Sequence, residues 1–246
     1  MRTFLAVMLG FFLGSFLNVV ALRWPLKSIL FGRSACPHCG SRLSWWELIP
    51  LASFLVLRGR CWHCGGKISW QYPIVEVSTA LYLGLLASRP LEEFFFFALL
   101  GALLLVLAAI DARTYVLPDV LLFLILTLGL LGNLILFPSS LARMLFGVLF
   151  GGGFFLFLYL ASGGRWLGFG DVKLGAVLGL LLGWPTVVFA LSAAAVAGGA
   201  LASLLLLSGK KGWKSPIPFG PFLVFGTLLA IILGGAYAPG SWVFWY

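Results

Sequence analysis

Gly168-Phe169-Gly170-Asp171-Val172-Lys173-Leu174-Gly175 puts a carboxylate at the start of an apolar helix, in a chain with only three aspartates. The pattern predicts a helix from Asp171 to about Trp184, where Pro185 interrupts it. At 1.5 Å per residue that helix spans about 21 Å, short of the roughly 30 Å hydrocarbon core of a bilayer. If its far end reaches the opposite surface, Asp171 starts below the interface. An ionisable group at that depth is costly and faces protein or a water-filled cavity. Gly168 and Gly170 let the backbone turn tightly and let another segment come close to the carboxylate. Asp171 is then either a plain helix N-cap or one member of a pair. Asp111, at the end of another apolar run, sits in a matching position and favours the pair.

The rest of the chain fits a membrane setting. It has 246 residues, 62% hydrophobic and 9% charged, with a mean hydropathy of +1.11, which excludes an ordinary soluble domain. The net charge of +9 does not point to nucleic acid, because the basic residues fall between apolar runs, as topology signals do. The expected fold is an all-α polytopic membrane protein with about eight transmembrane helices and a small cytoplasmic zinc-ribbon-like loop domain. The apolar runs are 4–22, 73–88, 93–110, 120–137, 141–161, 171–184, 185–207 and 221–238. Residues 1–22 form the first span, retained as an anchor: the run is long for a signal peptide and has no convincing cleavage site. Residues 23–72 form the cytoplasmic module, and 73–246 a seven-helix membrane domain carrying the aspartates. Of the Lys and Arg residues, only Arg2, Arg89 and Arg143 fall outside the loops that an external N-terminus would place in the cytoplasm. That orientation brings Asp111 and Asp171 to the same side of the membrane.

The module carries Cys36-Pro-His-Cys39 and Cys61-Trp-His-Cys64, a C-x2-C-x21-C-x2-C arrangement that uses every cysteine in the chain. Two knuckles presenting Cys36, Cys39, Cys61 and Cys64 make a four-thiolate site for Zn²⁺. Two disulfides or a redox pair are the alternatives, and a reducing cytoplasm argues against the former. With little core of its own, the module needs the metal as a folding staple. His38 and His63 lie inside the knuckles, where four thiolates already suffice. Trp45, Trp46, Trp62 and Trp70 are expected to pack the module onto the membrane interface.

Asp119 follows a proline and precedes an apolar run, so a helix N-cap is its expected role. Asp111 closes the preceding helix, the wrong end for a carboxylate with respect to the helix dipole, and its placement needs another reason. Glu76 lies close to the same surface, with either a substrate or cofactor role or a basic partner.

Taken together, Gly14-Ser-Phe-Leu-Asn-Val-Val20, the paired knuckles, Leu57-Arg-Gly-Arg-Cys61, Tyr72-Pro-Ile-Val-Glu76, Asp111 to Asp119, Gly168 to Asp171 and Ile217-Pro-Phe-Gly-Pro221 carry a resemblance. The chain resembles the bacterial type IV prepilin peptidases, bifunctional leader peptidases and N-methyltransferases of the GxGD aspartic protease type. The resemblance implies that Asp111 and Asp171, not Asp119, are catalytic. It implies cleavage of prepilins or pseudopilins between a basic leader and a hydrophobic helix, at the cytoplasmic face of the bacterial inner membrane. One aspartate would activate water and the other protonate the scissile carbonyl. Lys173 and the helix N-terminus beside Asp171 assign it the base and Asp111 the acid. The second implied reaction, methylation of the new N-terminal amine with S-adenosylmethionine, rests wholly on the resemblance; the module with Glu76 nearby is where that cofactor is expected. The rival readings are a proton-coupled transporter with a zinc-ribbon regulatory loop, since intramembrane aspartates also relay protons, and an inactive anchor for pilus-assembly proteins.

Overall fold

Small residues decide which apolar helices of this chain touch. The computed structural model describes residues 1–25, 33–136, 140–209, 212 and 215–233. Lys27, Lys210, Lys211 and Lys214, assigned above to cytoplasmic loops, lie outside these residues, as does the end of the last apolar run. Regular structure among the described residues is helical, with two isolated antiparallel β-bridges, Ala35–Arg42 and Arg60–Lys67. The chain forms two compact units, Met1–Ile110 and Asp111–Tyr246.

In the first unit α1 (Arg2–Leu22) and α3 (Gln71–Leu86) run antiparallel. Gly10 of α1 faces the backbone of Ala80, and Gly14 lies against Glu76 and Thr79, so the two backbones meet where neither glycine has a Cβ to keep them apart. Between the two helices lie the knuckles, a 3-10 turn at Trp45–Leu48 and the short helix α2 (Ala52–Val56). α4 (Leu91–Thr114) starts in this unit. Its Phe97 carbonyl accepts a hydrogen bond from the Tyr82 hydroxyl at 3.0 Å, and Gly101 makes room for the Tyr82 ring.

The second unit is built around the helix that bears Asp171. α7 (Phe169–Leu182) packs against α5 (Asp119–Leu131), α6 (Leu141–Ser162) and α9 (Gly220–Ile232), and most of its side chains are buried. Gly147 and Gly151 of α6 oppose Gly179 and Gly175 of α7 in antiparallel order, a contact that any side chain on those four positions would push open. At the end of α5 the chain continues as a π-helical turn, Gly132–Leu136. There the buried Asn133 amide donates to the Leu180 and Leu181 carbonyls of α7 at 3.3 and 3.1 Å. α8 (Thr186–Leu207) and α9 are antiparallel, with Gly226 against Ala190 and Ala194, and Gly198 against Phe222 and Phe219.

Among the described residues each apolar run predicted above contains one α-helix, but the helices are not equal in reach. Among the described residues, five helices or continuous helical segments are long and apolar enough to cross a membrane: Arg2–Leu22, Leu91–Thr114, Asp119–Leu136, Leu141–Ser162 and Thr186–Leu207. α3, α7 and the described part of α9 have 16, 14 and 13 residues. At 1.5 Å per residue, α7 covers about 21 Å. It ends at Gly183, in a left-handed backbone at φ 68° that closes a 2.8 Å hydrogen bond to the Gly179 carbonyl.

Candidate functional site

α7 begins two residues earlier than expected, at Phe169. Gly168 is its N-cap, and Asp171 is the third helical residue. The carboxylate is therefore not the cap; it reaches back to a hydrogen bond with the backbone of Gly168, as the third residue of a capping box does. This local bond accounts for part of its placement. Asp111 lies within electrostatic reach of Asp171, so the two carboxylates repel each other when both are ionised. Asp171 is half-buried.

Asp111 does not close α4, which runs on to Thr114. It is 5% exposed, and its Oδ2 accepts a hydrogen bond from the Gly220 N–H at 3.0 Å, at the first residue of α9. The dipole argument against a carboxylate at the end of α4 is thus answered by a different helix: the N-terminus of α9 supplies the favourable field. Gly220 is the residue that reading the sequence missed. It appeared there only inside the motif Ile217 to Pro221, although a glycine followed by Pro221 at the start of an apolar run is itself a signal of a backbone N–H left free.

The segment between α4 and α5 lies over the start of α7. A Cβ on Gly170 would meet the Leu117 side chain at 3.2 Å, and Tyr115, at φ 56°, directs its hydroxyl to the Pro216 carbonyl at 3.4 Å. Asp119 is not an N-cap: Pro118 occupies that position, and Asp119 instead pairs with Lys173 at 2.7 Å. That pairing corrects the expectation for Lys173. Two residues beyond Asp171 on a helix, it projects away from that carboxylate and toward α5, so it does not assign Asp171 the base. The segments 111–119, 168–173 and 215–220 are thereby tied to one another around the two aspartates.

In the first unit the four cysteine sulfurs lie within 4.8 Å of one another, with Cys36 and Cys61 buried and Cys39 and Cys64 exposed. Each knuckle is closed by its own backbone: Gly40 N–H bonds the Cys36 carbonyl and Gly65 N–H the Cys61 carbonyl, both at 2.9 Å, with Gly40 and Gly65 at φ 70° and 69°. Hydrogen bonding from Ser41, whose Oγ lies 2.9 Å from Cys39 Sγ, draws the Cys39 thiol down to about 6. Against a hydrogen bond from the Gly66 backbone, desolvation and the neighbouring cysteines push Cys64 up to about 11, as befits crowded sulfurs that share protons. His63 approaches Glu47 at 4.0 Å, and the His38 ring lies over Gly66. Glu76 has no basic partner among the ion pairs of the described residues. Its Oε2 accepts from the Leu51 N–H at 2.7 Å, and Ser15 also hydrogen-bonds it. It thus stabilises the entrance of α2, where Leu51 holds a left-handed backbone at φ 57°.

Residues 8–89 match the bacterial peptidase A24 N-terminal domain, and residues 98–203 match the type IV leader peptidase family. A prepilin leader peptidase/N-methyltransferase of Burkholderia pseudomallei is 36% identical, the match covering 96% of this chain and 89% of that protein. Proteins of the same name from Pseudomonas aeruginosa and Pectobacterium carotovorum are each 35% identical, over 93% and 92% of this chain and 89% and 91% of their own lengths. No solved structure matches the chain. With the cysteine-bearing and aspartate-bearing parts matched in the same order, and relatives aligned almost from end to end, the chain belongs to the type IV leader peptidase family.

Proposed function

We propose that this protein is an intramembrane aspartic endopeptidase that removes the basic leader from type IV prepilins or pseudopilins and then methylates the new N-terminal amine. What supports the peptidase reading is that two carboxylates, Asp111 and Asp171, come from different helices and lie within electrostatic reach of each other. In the reaction one carboxylate takes a proton from water as its oxygen attacks the scissile carbonyl carbon. The other, protonated, donates to the carbonyl oxygen. Collapse of the tetrahedral intermediate breaks the C–N bond, and the leaving amine takes a proton from the dyad. The Gly220 N–H holds one oxygen of Asp111 and leaves the other for this exchange. Family membership favours this reading over the transporter and anchor readings. The proposed setting is the bacterial inner membrane, N-terminus outside, with eight spans and the dyad facing the cytoplasm. There the leader stays in water while the pilin helix lies in lipid.

Cys36, Cys39, Cys61 and Cys64 would hold a structural zinc. A Zn–S distance of about 2.3 Å in a tetrahedron sets sulfurs about 3.8 Å apart. Cys36 and Cys64 sulfurs are 3.9 Å apart, and all four fall within 4.8 Å, so the set fits. Four thiolates leave no open coordination position, and the metal serves folding rather than chemistry. For the second activity, S-adenosylmethionine supplies an activated methyl group when bound. In the first unit Asn18 Oδ1, Glu47 Oε1 and Gln71 Nε2 are buried polar atoms without a protein partner. Asn18 Oδ1 and Glu47 Oε1 would accept from, and Gln71 Nε2 would donate to, polar groups of a cofactor that reached them.

The test is cleavage of a prepilin by the wild type, Asp111→Asn and Asp171→Asn, with methylation of an already cleaved pilin measured in parallel. Each variant is expected to lose cleavage by at least about 10³-fold, the scale of general acid–base help with positioning, while methylation persists. Cleavage by both variants at the wild-type rate would refute the dyad.

A further inference from the structure

The cysteine module exposes more apolar surface than a solvated loop domain carries. Trp45, Leu55, Val56, Trp62 and Trp70 are between 63% and 79% exposed, and Leu48 and Ile49 are exposed beside them. The helical pieces that bear several of them, Trp45–Leu48 and Ala52–Val56, have 4 and 5 residues. Helices this short are not stable in water by their own hydrogen bonds and need a surface to lie on.

Charge selects the surface. Arg33, Arg42, Arg58, Arg60 and Lys67 are exposed, and none is in an ion pair formed by the described residues. The only acidic residue between Arg23 and Trp70 is Glu47, which is buried and accepts a 2.8 Å hydrogen bond from the Ser44 N–H. The exposed charge of the module is thus entirely positive. It repels a basic leader peptide and attracts an anionic surface.

Position selects it again. After Val56 the backbone turns back through Arg58 and Gly59, both left-handed at φ 52° and 66°, and the Gly59 N–H closes on the Phe54 carbonyl at 2.9 Å. The Phe54 ring rests on Trp70 with centroids 5.0 Å apart, and Trp70 is the residue before α3. α3 exposes Ile74, Leu81 and Leu85, which lie on one face at helical spacing, so the apolar surface of α2 and Trp70 adjoins the start of a lipid-facing stripe.

We propose that Trp45–Val56, with Trp62 and Trp70, forms an interfacial anchor that lays the cysteine module on anionic phospholipid, with Arg58 and Arg60 at the headgroups. This reading is independent of the peptidase assignment.

The experiment is amide hydrogen exchange by mass spectrometry on the full chain, in nanodiscs of phosphatidylcholine alone and of phosphatidylcholine mixed with phosphatidylglycerol. Residues 45–60 are expected to exchange about tenfold more slowly in the mixed lipid, a difference that reports local opening. Arg58→Glu with Arg60→Glu should abolish the difference between the two lipids, and Leu55→Asp with Val56→Asp should speed exchange in both. If the Leu55/Val56 variant also loses protection at the knuckles, its fold has failed and the Arg58/Arg60 variant decides alone. Equal exchange in both lipids, unchanged by the arginine substitutions, overturns the proposal. So does protection that appears only when a prepilin is added, which would make the surface a substrate dock.

Discussion

Gly220→Ala tests whether the N-terminus of α9 positions Asp111. A Cβ at Gly220 would stand 2.5 Å from Asp111 Oδ2, 3.0 Å from its Cγ and 3.3 Å from its Cβ. Carbon–oxygen and carbon–carbon contacts settle nearer 3.4–3.8 Å, so the gap has to open by roughly 1 Å. The group that gives way is a short side chain rather than backbone, so most of the change falls on the carboxylate and little on the fold. Rotating Asp111 away also breaks its hydrogen bond to Gly220, an interaction of about 1.5–3 kcal/mol for a charged acceptor. A misplacement of about 1 Å at a reacting group costs on the order of 10²-fold in rate. The expected outcome is a kcat for prepilin cleavage lowered by about that factor, with a melting temperature within a few degrees of the wild type. Gly199→Ala is the matched control, because a Cβ there meets nothing within 4 Å, and its activity should be unchanged. If Gly220→Ala, folded and inserted, cleaves as fast as Gly199→Ala, then Gly220 does not position Asp111 and the anchoring argument is wrong.

Cys36→Ser or Cys61→Ser should each release the bound metal and loosen the knuckles; purified wild type with no zinc by elemental analysis would end the structural-zinc reading. Because a metal-bound thiolate competes with its proton, metal affinity should fall as pH falls and persist as it rises toward neutral, and an acid titration of retained zinc checks the sign. Asp119→Asn should cost less than about 1 kcal/mol of stability, because its pair with Lys173 is exposed and screened; a loss of several kcal/mol on thermal unfolding would show that the pair is more deeply shielded. Asn133→Leu should destabilise by about 1–3 kcal/mol, because it removes the amide donor that serves the Leu180 and Leu181 carbonyls.

The apolar runs were legible because helix formation in a nonpolar setting is local. A run of aliphatic residues bounded by charge or proline satisfies its own backbone whatever it later touches. The knuckles were legible for the same reason, since Cys-x2-Cys with a following glycine closes on itself within a few residues. The two aspartates could be singled out because so few carboxylates occur in so apolar a chain. Their partners could not be read from the sequence. Lys173 stands two residues from Asp171 and 54 from Asp119, yet it pairs with Asp119, because helical geometry turns neighbouring residues to different faces and packing against α5 chooses which face is answered. Gly220 meets Asp111 across 109 residues, and nothing in either local pattern specifies the other. The short reach of α7 was visible as a length. That it is enclosed by α5, α6 and α9, through glycine contacts on α6 and an Asn133 bond from the end of α5, came only from the packed chain. The sequence by itself determined the helices, the four-cysteine set and the scarcity of carboxylates. Tertiary structure decided which helix end each carboxylate meets, because that choice is made by close contacts between residues far apart in the chain.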